Sequence, residues 1–135
     1  MESMSLQQVR VVEELLKQIQ QAIANLEDWN AQLSSVDDLL TSPDGMKTLA
    51  ADCMLLEAIG ESVKKVDVKT SGCLLPLRPE IPWIQVMGMR NHIAHGYFDI
   101  NTDLVWDAIQ NDLRPLKEAI DYFVNDLYSI LPFDE

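Results

Sequence analysis

Positive charge is scarce in this chain. Ten lysines and arginines stand against 22 aspartates and glutamates, leaving a formal net charge of -12. Neutralising phosphates takes clustered Lys and Arg, and an acidic field repels polyanions, so a broad nucleic-acid-binding surface is excluded. A small focused basic site remains open, as does a basic partner protein, because the sum does not say where the charges lie. Cysteine is scarcer still. Cys53 and Cys73 form no framework and neither belongs to a C-x-x-C pair, so disulfide, metal and redox readings lose their support and both thiols read as reduced and structural. No apolar run approaches the roughly 20 residues that span a bilayer. The polar start Met1-Glu2-Ser3 has neither the basic nor the apolar region of a leader, which sets the expectation of a cytoplasmic protein away from membranes.

What is present is helical period. Val9, Val12, Leu16, Ile19, Ile23 and Leu26 step by three and four, with Leu15, Ala22 and Trp29 alongside, which predicts a long amphipathic helix. Ser42-Pro43-Asp44 supplies an N-cap, a proline at the first helical position and an acid in the first turn. The stripe Leu49, Cys53, Leu56, Ile59, Val63 and Val66 follows. Gly60 in its middle makes sense where another backbone crosses closely. Thr70-Ser71-Gly72 through Pro76, Pro79 and Pro82 reads as an irregular connector between two helical hairpins. A third helix is expected from about Pro82 to Gly96, with Trp83, Met87 and Ile93 on one side and Gly96 as a left-handed cap. After a cap at Asn101 or Thr102, the period resumes through Val105, Ile109, Leu116, Ile120, Phe123 and Leu127, where Pro115 must kink or split the helix. With 47% hydrophobic residues and no strand alternation, the expectation is one all-α domain over residues 1–135, an up-and-down bundle of four to five helices.

Chemistry concentrates between Arg90 and Tyr97, where a guanidinium, a carboxamide, a phenol and both histidines of the chain, His92 and His95, lie within eight residues. A histidine titrating near neutrality moves protons, and the planar fork of an arginine holds a phosphate, so the set suits metal-independent phosphoryl chemistry on RNA. Asn91 can donate to a phosphate oxygen or orient His95. Asp99 lacks a second acid at metal-ligand spacing, which argues against a two-metal nuclease, and nothing calls for a cofactor. On one ideal helix Trp83, Arg90 and Tyr97 share a stripe, and Arg90 and His95 stand about 140° apart. They converge only where the helix end unwinds or where another subunit completes the cleft. A plainer account competes: arginine and histidine near a helix C-terminus also complement the helix dipole. His92, off the Arg90 stripe and off the neighbouring one of Ile84, Asn91 and His95, reads as a solvated or capping residue.

The string Met89-Arg90-Asn91-His92-Ile93-Ala94-His95-Gly96-Tyr97-Phe98 resembles the R-x-x-x-x-H-x-Y signature of HepT-like proteins, a branch of the HEPN superfamily. Ile81-Pro82-Trp83, Gly88, Asp99-Ile100 and Val105-Trp106 around it agree, as does Ile59-Gly60-Glu61 upstream, so the similarity covers nearly the whole chain. The resemblance implies a HEPN-like, homodimeric, metal-independent ribonuclease acting as the toxin of a toxin–antitoxin pair, with two motifs facing each other across the dimer cleft. It assigns catalysis to Arg90 and His95, assisted by Asn91. The implied partner is a minimal nucleotidyltransferase antitoxin that transfers AMP from ATP onto the motif tyrosine, here Tyr97. The acidity is high for such an enzyme, and Arg90, Arg78 and Lys64-Lys65 concentrated in the dimer cleft, two copies of a local patch, would have to outweigh it, helped by screening of charges beyond about 8 Å. The alternative is a non-catalytic helical module that binds a nucleotide or the partner through the same cleft.

Overall fold

The computed structural model describes residues 3–134. Met1 and Glu2, on which the leader argument rests, lie outside the described residues, as does Glu135. The architecture is the expected all-α bundle. Helix α1 spans Leu6–Asn30 and α2 spans Pro43–Lys69. They pack as an antiparallel hairpin closed by a short 3-10 turn, Val36–Leu39. Ser5 starts α1 with a reciprocal cap: its Oγ accepts from the Gln8 N–H at 3.1 Å, and the Gln8 side chain accepts from the Ser5 N–H at 2.8 Å. The six stripe positions from Val9 to Leu26 are all buried, whereas Trp29 is exposed and the next residue, Asn30, takes the inside position. Ser42 caps α2 through the Gly45 N–H at 2.9 Å, with Pro43 in the first turn.

Gly60 sits at the crossing its position predicts. A β-carbon there would stand 2.7 Å from the carbonyl oxygen of Val86 and 3.4 Å from that of Met87, so the backbone after α2 can lie directly on it. The connector carries a 3-10 turn, Leu75–Leu77, and is anchored by buried Leu74 and Leu75. Trp83 closes it from below by stacking on Phe123, 5.9 Å between ring centroids, while its Nε1 donates to the Arg78 carbonyl at 3.0 Å.

Two expectations need correction. The third helix does not run from Pro82 to Gly96: α3, Trp83–Met87, stops at Gly88, and α4, Met89–Ile93, ends three residues short of Gly96. Gly88 is a poor helix former beside the Gly60 crossing, and Ala94 turns extended to bridge Ile100 across a tight turn, a pairing with no periodic signal. The single-helix stripe of Trp83, Arg90 and Tyr97 therefore dissolves; Trp83 is buried and the other two are exposed. Nor does the last helix break at Pro115 itself. Helix α5, Thr102–Asp107, passes through a π-helical turn, Ala108–Asp112, into α6, Leu113–Ile130. Pro115 has no N–H for the Asn111 carbonyl and its ring would crowd that group, so the helix widens in the turn before the proline. Asn101 caps α5 by accepting from the Leu104 N–H at 3.2 Å.

Buried residues from every long segment form one apolar cluster, with Phe123, Leu16, Ile19, Ile23 and Leu26 at its centre. Two two-residue strands, β1 (Met4–Ser5) and β2 (Phe133–Asp134), pair in parallel and clasp the two ends. No helix among the described residues is long and apolar enough to cross a membrane.

Candidate active site

The motif is split between a helix and a turn. Arg90, Asn91 and His92 lie on α4; His95 and Tyr97 lie on the turn that follows. That turn is tied across its base by backbone bonds: the His95 N–H donates to the Asp99 carbonyl at 2.9 Å, the Asp99 N–H to Gly96 at 3.2 Å, and the Asn101 N–H to Ile93 at 2.7 Å. Gly96 takes φ +117, a region side-chain-bearing residues avoid, so it serves the turn rather than capping the helix.

Arg90 is 71% exposed, and its guanidinium reaches Glu57 on α2 at 3.4 Å. Water screens a pair this open, so the arginine is held loosely and can be handed to a phosphate. Asn91 is exposed on the same helix. His95 lines a cavity of about 520 Å³ with His92, Asp99, Asn101, Thr102 and Asp103. Arg90, Asn91 and Tyr97 do not line it. In one chain Arg90 therefore stands outside the cavity that His95 lines. His92, expected from sequence to be solvated or capping, is exposed and lines this cavity with His95. Tyr97 is 63% exposed and meets Phe98 edge to face at 5.1 Å.

Of the basic residues expected to gather in a dimer cleft, Arg78 is engaged within its own chain. Arg78 bonds Glu80 at 3.1 Å and lies 4.7 Å over the Tyr122 ring, so it serves the connector and α6. A second cavity, about 460 Å³, separates α2 to α4 from the π turn; its floor includes Leu56, Ile59, Val86 and Ile93 and its edge Asp107 and Asp112. Burial, then the neighbouring Asp107, raises the Asp112 carboxyl above its usual range. Both cysteines are free. Cys53 is half-buried, and burial with Asp52 and Glu57 nearby pushes its thiol up to about 11, so it is a poor nucleophile. Cys73 is exposed, against the expectation of a structural thiol. Among the described residues no cluster of three or more His, Cys, Asp or Glu is placed to hold a metal ion.

An all-α bundle bearing an exposed Arg-x-x-x-x-His-x-Tyr motif at the end of a short helix defines a HEPN-type protein. More narrowly, the model of the family described as "Ribonuclease HepT-like" matches residues 13–123, and this chain belongs to that family. It is similar to the "Probable ribonuclease HepT" of Thermococcus cleftensis, 32% identical over 104 residues, covering 76% of this chain and 86% of the relative. A "Putative RNase" of Methanocaldococcus jannaschii is 32% identical over 78 residues, 55% of this chain and 61% of that protein. Another of that name from Caldanaerobacter subterraneus is 29% identical over 65 residues, 48% of this chain and 54% of the relative. No solved structure matches the chain.

Proposed function

We propose that this protein is a metal-independent endoribonuclease, the toxin of a toxin–antitoxin pair, acting as a homodimer. The observation that carries the proposal is the family match over residues 13–123, which contains the whole of Arg90 to Tyr97. In the reaction, a ribose 2'-hydroxyl attacks the adjacent phosphate. The new 2'-oxygen–phosphorus bond replaces the bond to the 5'-oxygen, leaving a 2',3'-cyclic phosphate. His95 takes the hydroxyl proton or gives one to the leaving oxygen, Arg90 offsets charge on the phosphate after leaving Glu57, and Asn91 donates to a non-bridging oxygen. Separation of Arg90 from the His95 cavity in one chain supports a site completed by a second copy.

Tyr97 is the residue a nucleotidyltransferase partner would modify. Its hydroxyl oxygen attacks the α-phosphate of ATP, pyrophosphate leaves, and the attached adenylate adds bulk and negative charge beside the motif, repelling RNA. The exposure of the phenol supports this role. The test is RNA cleavage in EDTA by wild type and His95→Ala, each before and after incubation with the partner and ATP. The expected outcome is cleavage by wild type, a loss of at least a hundredfold in His95→Ala with fold intact, and loss again after a mass gain of one AMP on Tyr97. Cleavage retained by His95→Ala would refute the catalytic assignment. The net charge of -12 and the carboxylate on Arg90 favour one competing reading, a non-catalytic nucleotide- or partner-binding module, to which intact RNA throughout would point.

A further inference from the structure

Phe98 is 98% exposed, the barest large apolar side chain among those described. Met54 and Val68 are exposed too, at 72% and 71%, and exposed apolar side chains are ordinary on a folded surface. Phe98 differs in three respects. Its ring is paired edge to face with a second exposed aromatic, Tyr97, at 5.1 Å, which leaves flat ring surface open to solvent. Both rings ride on the turn that carries His95, and Phe98 follows His95 by three positions, at most about 11 Å between α-carbons. That turn is fixed by the bonds from His95 to Asp99, Asp99 to Gly96 and Asn101 to Ile93, so the rings are presented on a framework already ordered.

Resting on the ribonuclease reading above, we propose that Phe98, braced by Tyr97, is a stacking platform for an unpaired base of the RNA strand at the His95 site, which makes single-stranded RNA the substrate. Every nucleobase has a flat apolar face, and bases in a duplex keep theirs buried in the helix, so an exposed aromatic selects strands whose bases can splay out. The acidity of the chain leads to the same ligand chemistry. With ten basic residues against 22 acidic ones, phosphate neutralisation supplies little affinity, and stacking is a source of binding energy that the negative field does not oppose. The strand is therefore gripped by its bases more than by its backbone.

The test uses a short single-stranded RNA with a 2'-O-methyl group at every ribose, which cannot be cleaved, and the same sequence closed into a duplex. One base carries the fluorescent analogue 2-aminopurine. Anisotropy reads affinity, quenching reads stacking, and sedimentation reads self-association of the same samples. The single strand should bind at least tenfold tighter than the duplex, with quenching and a shallow dependence on salt. Phe98→Ala should weaken single-strand binding roughly five- to hundredfold, the range one base–aromatic stack provides, and abolish the quenching, while Phe98→Trp restores both. Single-strand binding unchanged in Phe98→Ala overturns the proposal. So does a Phe98→Ala protein that fails to self-associate and loses binding only in proportion, for then the ring belongs to an interface between copies. Because no step requires cleavage, a wild type that stacks the strand yet cuts no RNA would sink the ribonuclease reading and leave the platform standing.

Discussion

Asp52 and Asn30 meet between α1 and α2 with almost no access to solvent, Asp52 at 0% and Asn30 at 3%. The Asn30 amide spends its two N–H groups on the Leu26 carbonyl at 2.9 Å and on Asp52 Oδ1 at 2.8 Å. Asn30 Oδ1 and Asp52 Oδ2 meet no donor among the described residues. Two unpaired acceptors call for a proton, and burial pushes the Asp52 carboxyl up to about 6 from 3.8, opposed by the Asn30 hydrogen bond. Between those values the folded chain holds a proton that the unfolded chain has released. This contribution to stability is therefore complete below about pH 4, declines as pH rises, and is gone above about pH 6, a loss of about 3 kcal/mol. An asparagine at 52 keeps the shape, stays neutral and brings its own N–H donors. Asp52→Asn should thus gain over wild type between pH 5 and pH 7.5 in urea denaturation. A difference between the two proteins that does not change with pH would show that Asp52 is not the group titrating.

At the scale of elements, the α2 crossing makes a prediction whose sign is informative. Replacing a helical glycine by alanine normally stabilises by about 1 kcal/mol. At Gly60 the new methyl would press on the backbone carbonyl of Val86, which cannot swing aside as a side chain can. Gly60→Ala should instead cost about 1–3 kcal/mol, seen as a lower denaturation midpoint at unchanged slope. This crossing was legible in the sequence because Gly60 interrupts an otherwise good helical stripe. So were the α1 and α2 faces and the Ser42 cap, all of which depend on neighbours one turn away. The end of α4 was not, since it is fixed by Ala94 pairing with Ile100 and by Asn101 bonding back to Ile93. The π turn escaped for a related reason. Val105, Ile109 and Leu113 step by four and fit an α-helix nearly as well as the wider turn, and only the missing N–H of Pro115 hints at trouble. Polar Asn30 and Asp52 carry no local sign that they are buried. Within the motif, residue types were readable while their placement was not: the cavity gathers His92 with His95 and leaves Arg90 outside.

For the molecule as a whole, acids stand beside the motif: Glu57 reaches Arg90 at 3.4 Å, and Asp99 and Asp103 share the cavity of His95. Residues near either end of the described chain meet on the bundle. Met4 pairs with Phe133, its N–H donating to the Pro132 carbonyl at 2.6 Å, and the Phe133 ring lies edge-on to Tyr128 at 5.5 Å. The path of the chain is thus almost a ring, and the helices are held by contacts that do not depend on which bond is left open. A circular permutant, with the old ends joined by a short glycine-serine linker and new ends opened between exposed Gly72 and Cys73, should fold with a melting temperature within several degrees of the parent. A permutant that fails to fold would mean that the α2-to-α3 connector must be continuous for the bundle to assemble. One that folds would provide attachment points at the far side of the sequence from the clasp, where a fused label leaves β1 and β2 paired.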